Sequence, residues 1–214
     1  MSELSSHPVG QQAARSDLDR SSRSDRAIIA IGIIASLAII AIAATASLPK
    51  YRINPIFLLP LLWLGYFLRR PLDVTPVTFG LYASALLLHD LGAYGFYQHS
   101  PLPWSWDIYV HYYFGVVGSL VLRGALAHHF PMLRPWQVNL TTLLFVMGIG
   151  ALHEIMEYVS YLIGGTKYGM LDPEHMYFFD TQRDLTNNLL GCLTALILRW
   201  ATIRATGRAR TSQA

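Results

Sequence analysis

Residues 27–48 read AIIAIGIIASLAIIAIAATASL, from Ala27 to Leu48, without one charged side chain. A helix needs roughly 20 apolar residues to cross the hydrocarbon core of a bilayer, and this run has that length. Working outward from it, less pure versions of the pattern recur at about Ile53–Phe67, Thr75–Tyr97, Asp107–His128, Trp136–Ile163 and Asp180–Trp200. The expected fold is all-α, a polytopic membrane bundle of about six transmembrane helices. Composition agrees: 53% of residues are hydrophobic and only 14% charged, against about 25% charged in soluble domains.

The polar segments divide the chain. Residues 1–26 are rich in Ser, Arg and Asp and are expected as a disordered cytoplasmic tail, residues 27–204 as the membrane domain, and residues 205–214 as a basic cytoplasmic tail. Ala44-Thr45-Ala46 resembles a signal-peptidase site, but the preceding run is long and Ile-rich, so an uncleaved helix is expected. The single cysteine, Cys192, excludes an intramolecular disulfide. Pro55 and Pro60 are expected to bend or interrupt the second span.

Arginine and lysine set the orientation. With the N-terminus inside, the cytoplasmic side receives Arg15, Arg20, Arg23, Arg26, Arg69, Arg70, Arg123, Arg134, Arg199, Arg204, Arg208 and Arg210. The other side receives Lys50, Arg52, Lys167 and Arg183. Twelve against four is a positive-inside bias, so both termini are expected in the cytoplasm. The basic pI is then explained by topology and anionic lipid, without nucleic acid.

Ionisable residues inside the apolar stretches are the functional signal, because a charge within the bilayer costs several kcal/mol. His89-Asp90, Asp107 with His111, His153-Glu154 with Glu157, and Asp180 with Asp184 all fall at a common depth near the outer ends of spans 3 to 6. Three of these sets contain an i,i+4 pair, which places both members on one helical face. Converging pairs of this type build metal sites in helix bundles. His111, His153, Glu157 and Asp184 are the expected ligands. The expected cofactor is a divalent metal, zinc first, with manganese or iron also compatible with imidazole and carboxylate.

Glu154 lies one step around the helix from His153 and is the candidate base for a bound water. His153-Glu154-Ile155-Met156-Glu157 matches the zinc-protease helix in part, with Glu157 where the second histidine would stand. The alternative for this trio is a structural network in which His153 or Arg183 neutralises the acids. His89, Asp90, Asp107, Tyr94, Asp180 and Asn187 are the expected supporting or substrate-contacting residues. Asp180 could equally be an N-cap, and Tyr94 a member of the aromatic belt with Tyr97, Trp104 and Trp106. Gly191 is expected to admit a close helix neighbour. The connection from Gly164 to Tyr177, with Asp172, Glu174 and His175, reads as a lid or an exposed connector.

Taken together, His89-Asp90-Leu91-Gly92-Ala93-Tyr94, Asp107 to His111, His153-Glu154-Ile155-Met156-Glu157 and Asp180-Thr181-Gln182-Arg183-Asp184 resemble the bacterial inner-membrane family typified by YjdF. The resemblance covers roughly residues 50–200. It implies a small multispanning protein of the bacterial inner membrane with no settled activity.

Three functions fit these residues. One is a metal-dependent membrane hydrolase acting on a lipid or lipid-linked substrate, another an ion- or proton-coupled transporter, and the third a structural protein pinned by its polar network. Transporters commonly carry inverted repeats around a midplane site. This chain shows no repeat, and its polar cluster lies off centre.

Overall fold

The computed structural model describes residues 8–46, 52–168 and 179–211, with side chains for 21–46, 52–92, 94–165 and 179–205. Among them are six α-helices and no strand: α1 Pro8–Thr45, α2 Asn54–Phe67, α3 Pro76–Leu91, α4 Trp106–His129, α5 Pro135–Tyr168 and α6 Asp180–Thr211. Among the described residues, three segments are long and apolar enough to cross a membrane: Ser21–Thr45, Trp106–His129 and Pro135–Gly165. The polar insertions in α6 and the short length of α2 keep those helices below the same threshold.

Local chemistry sets the helix ends. Thr75 and Thr78 exchange side-chain and backbone hydrogen bonds in a capping box, and Pro76 opens α3 where a missing N–H costs nothing. Pro60 lies inside α2 without ending it. The third expected span ends sooner as an α-helix than the apolar run does. After Leu91 the chain makes a single π-helical turn, Gly92–Phe96, in which Gly95 adopts φ 132°, a conformation that suits a residue without Cβ. Helix α5 is interrupted by Gly165 at φ 59°.

Two helices outrun their apolar cores. Helix α1 begins at Pro8, within the segment expected as a disordered tail, and α6 continues to Thr211. Both extensions contain good helix formers such as Ala and Arg, and propagation from a formed helix avoids a new nucleation cost. The Gly164–Tyr177 connection, with Asp172, Glu174 and His175, lies largely outside the described residues.

The bundle has two packing units. Ile28, Ala35 and Ile39 of α1, Leu58 and Leu62 of α2, and Phe79 and Ala83 of α3 form an apolar cluster. Helices α4, α5 and α6 enclose polar residues instead: His111, Ser119, Thr142, Glu154, Asp184 and Asn188 are all buried. Meanwhile Ile34, Phe57, Leu144, Leu162 and Ile197 are exposed on the outside. Polar groups inside and large apolar side chains outside is the distribution a surrounding bilayer favours, since lipid removes the penalty on an apolar exterior.

Helices α4 and α6 run parallel at very short range. A Cβ on Gly115 would overlap the Asn188 carbonyl oxygen, and one on Gly191 the Tyr112 carbonyl oxygen. The close neighbour expected at Gly191 is therefore α4. This contact fixes the register between the two helices that carry most of the site.

Candidate functional site: a buried histidine and carboxylate cluster

The site forms at the N-terminal ends of α4 and α6 and the C-terminal half of α5. His111 Nε2 is its centre, 3.4 Å from Asp107 Oδ1, 3.8 Å from Glu154 Oε1 and 3.9 Å from Asp184 Oδ2. Asp107 comes from one turn earlier on α4, Glu154 from α5 and Asp184 from α6. Asp184, His111 and Glu154 are each less than a tenth exposed.

Arg183 fastens the carboxylates from the other side. Its Nη2 donates to Asp107 Oδ2 at 2.8 Å and to Asp180 Oδ1, and its Nε donates to Asp184 Oδ1 at 3.3 Å. One oxygen of Asp107 and one of Asp184 are thereby held by the guanidinium. Their second oxygens, Asp107 Oδ1 and Asp184 Oδ2, turn towards His111. Asp107, His111 and Asp184 each offer one ligand atom, and those atoms all lie within 4.8 Å of one another.

This group could hold a metal. Bonds of 2.0–2.1 Å in a tetrahedron put ligand atoms about 3.3 Å apart, so the aspartate oxygens, 3.4 and 3.9 Å from His111 Nε2 and within 4.8 Å of each other, must draw together to close on an ion. These separations are long for hydrogen bonds. Charge points the same way. Asp107, Glu154, Glu157, Asp180 and Asp184 are five carboxylates facing one guanidinium and three imidazoles, so neutralising the site requires bound protons or a cation. Glu154 Oε1 is buried without a hydrogen-bond partner among the described residues, an atom that a cation or a substrate proton would satisfy.

The four ligands expected from sequence divide into two pairs. His111 and Asp184 belong to the cluster just described. His153 Nε2 lies 3.2 Å from Glu157 Oε1, its partner one turn along α5. The pairs adjoin, because the His153 ring centroid is 5.9 Å from that of His111 and 5.8 Å from that of His89. Three imidazoles therefore form a row across the bundle. At its end, His89 Nδ1 shares a hydrogen bond of 2.8 Å with the Tyr97 hydroxyl.

The supporting residues are more scattered. Asp90 turns away from the cluster: its Oδ1 accepts from Asn54 Nδ2 of α2 at 3.0 Å, and it is fully buried there. A helix rotates about 100° per residue, so His89 and Asp90 cannot both face the same neighbour. Tyr94 is half exposed, its ring edge-on to Phe96. Asp180 reaches the site through Arg183. Asn187 donates to the Arg183 carbonyl oxygen within its own helix at 2.9 Å.

Sequence reasoning assigns Arg183 no role beyond that of an alternative neutraliser for Glu154 and Glu157. It serves Asp107, Asp180 and Asp184 instead. The signal was its position three residues after Asp180 and adjacent to Asp184. Tyr97 reads from sequence only as a member of the aromatic belt, and Asn54 carried no comparable mark.

A helical bundle with apolar outer faces and a buried His/carboxylate group defines a class, an integral membrane protein whose interior holds the chemistry. Residues 26–205 match the family described as "Predicted membrane protein (DUF2238)", and the chain belongs to that family. No curated protein and no solved structure matches the chain.

Proposed function

We propose that the protein is a metal-dependent hydrolase of the bacterial inner membrane, YjdF-like, acting on a lipid or lipid-linked substrate. Asp107, His111 and Asp184 hold a divalent cation, zinc before manganese or iron, and Glu154 is the general base. The observation that carries this reading is Glu154 Oε1, buried, 3.8 Å from His111 Nε2 and without a hydrogen-bond partner among the described residues. When bound, such a cation would supply Lewis acidity and lower the pKa of water. The chain's own residues do the rest: Arg183 orients two carboxylates, Glu154 accepts the proton, and the His153–Glu157 pair lies next to it to pass that proton on.

Elemental analysis of detergent-purified protein tests the assignment. Wild type is expected to carry stoichiometric metal, His111→Ala to lose it, and Glu154→Gln to retain it. His153→Ala should lower metal content little, since His153 is paired with Glu157. Wild type without bound metal would sink the enzyme reading. Loss in His153→Ala equal to that in His111→Ala would restore His153 to the ligand set.

Six crossings, with both termini in the cytoplasm, accompany this proposal. The twelve-to-four asymmetry of Arg and Lys supports it, and the substrate then reaches the site from the outer leaflet. A C-terminal reporter active only outside the cytoplasm should stay silent. A signal from it would overturn the parity of spans.

A second reading, ion- or proton-coupled transport, has one observation in its favour. Asn188, one turn beyond Asp184, is fully buried, and neither its Nδ2 nor its Oδ1 has a partner among the described residues. This extends polar character from the cluster towards the bundle centre. Proton flux into protein-containing vesicles, lost in Asn188→Leu and seen in metal-free protein, would establish transport in place of hydrolysis.

A further inference from the structure

The α4–α6 interface repeats at eight-residue intervals. Asp107, Gly115 and Arg123 on α4 stand beside Arg183, Gly191 and Arg199 on α6. The first pair is an ion pair and the second a backbone crossing. The third is two like charges. Arg123 lies 12 residues beyond His111, about 18 Å along the helix axis, so it belongs to the opposite end of the bundle.

Arg123 and Arg199 line a single cleft with Ser119, Leu120, Ala195 and Leu196. Arg123 is half-buried, and its Nε donates to Asn139 Oδ1 of α5 at 2.8 Å, which holds the guanidinium in place. The charged group that bears on it is Arg199. Among the described residues no carboxylate pairs with either guanidinium. Two cations that share a cleft at the edge of a low-dielectric bundle repel each other, and an anion between them turns that repulsion into attraction. Guanidinium groups present planar donor forks that match phosphate oxygens. The neighbouring outward faces are aliphatic, with Leu120, Leu193 and Ile197 exposed, so an acyl chain could lie beside the same cleft.

We propose that the Arg123–Arg199 cleft binds a phosphate group, presented by an anionic phospholipid headgroup or by free inorganic phosphate. Basic clefts between membrane helices on the cytoplasmic side bind acidic headgroups, and the topology proposed above puts this cleft on that side. The cleft itself does not depend on the metal or on hydrolysis.

The experiment titrates full-length protein in neutral detergent with phosphatidylglycerol, phosphatidylcholine and inorganic phosphate, and reads the melting temperature. Wild type, Arg199→Gln and the Arg123→Gln/Arg199→Gln double variant are compared. A saturable rise with phosphatidylglycerol but not phosphatidylcholine is expected, with the apparent Kd weakened roughly tenfold in Arg199→Gln, the scale of one lost charge-assisted hydrogen bond. Arg199 is exposed, so its loss should leave folding intact. The same saturable rise with inorganic phosphate, again weakened in Arg199→Gln, supports the phosphate site and assigns it to a soluble ligand. No response to either probe, or an equal response in all three proteins, overturns the proposal.

Discussion

Gly191→Ala is expected to lower the melting temperature of the detergent-solubilised protein by roughly 5–10 °C. In an open helix the same substitution stabilises by about 0.5–1 kcal/mol, because Ala loses less conformational freedom than Gly. Here the new Cβ would overlap the Tyr112 carbonyl oxygen, and it would come within 3.0 Å of the Val116 nitrogen. These are backbone atoms, so no side-chain rotation relieves the clash and the two helices must separate. Overpacking of this kind costs about 2–3 kcal/mol, and each kcal/mol shifts the midpoint of a chain of this size by roughly 2–4 °C. Gly148 is the control. A Cβ there meets nothing within 4 Å, and Gly148→Ala should raise the midpoint slightly. Because α4 carries Asp107 and His111 while α6 carries Asp184, Gly191→Ala should also reduce bound metal. An unchanged midpoint would show that α4 and α6 are not in backbone contact.

Arg183→Gln should also be strongly destabilising. It leaves Asp107, Asp180 and Asp184 without their shared guanidinium, and Asp184 is almost completely buried. Removing one member of a buried charge pair costs about 3–5 kcal/mol. Arg183 keeps 30% of its side chain exposed, so screening reduces the expectation to about 2 kcal/mol, or roughly 4–8 °C. Two rescues follow from the geometry. Asp180→Asn in the same chain should recover part of the loss, as neighbours sharing a partner are non-additive. Added zinc should recover more, because a divalent cation takes over the charge the guanidinium supplied. If Arg183→Gln melts like wild type, the carboxylates are protonated and the cluster needs no cation.

The depth of the site is legible in the amino-acid sequence. Helices fix axial position at 1.5 Å per residue, so the gathering of His111 and Asp184, early in their helices, at the level of His153 and Glu154, in the second half of α5, follows from counting. The i,i+4 pairs are equally readable, and Asp107–His111 and His153–Glu157 are both in contact. All-helical architecture follows from the apolar runs, with helix α4 starting within one residue of its expected position and α6 at it.

Rotation is not legible. In a soluble helix the apolar stripe tells which face turns inward. In this chain the lipid-facing and interior faces are both largely apolar, so the stripe is blurred. That is why Asp90, beside His89 in sequence, could be assigned to the cluster although it faces Asn54 of α2. It is also why the expected four-ligand set divides into the His111–Asp184 and His153–Glu157 pairs. The amino-acid sequence by itself determined the helices, their order and the level at which acids and imidazoles gather, because these depend on local periodicity and length. Only the tertiary structure decided that Arg183 clamps Asp107, Asp180 and Asp184, and that Arg123 and Arg199 line one cleft. Both depend on the parallel register that Gly115 and Gly191 permit between α4 and α6, a long-range contact between helices more than 50 residues apart in the chain.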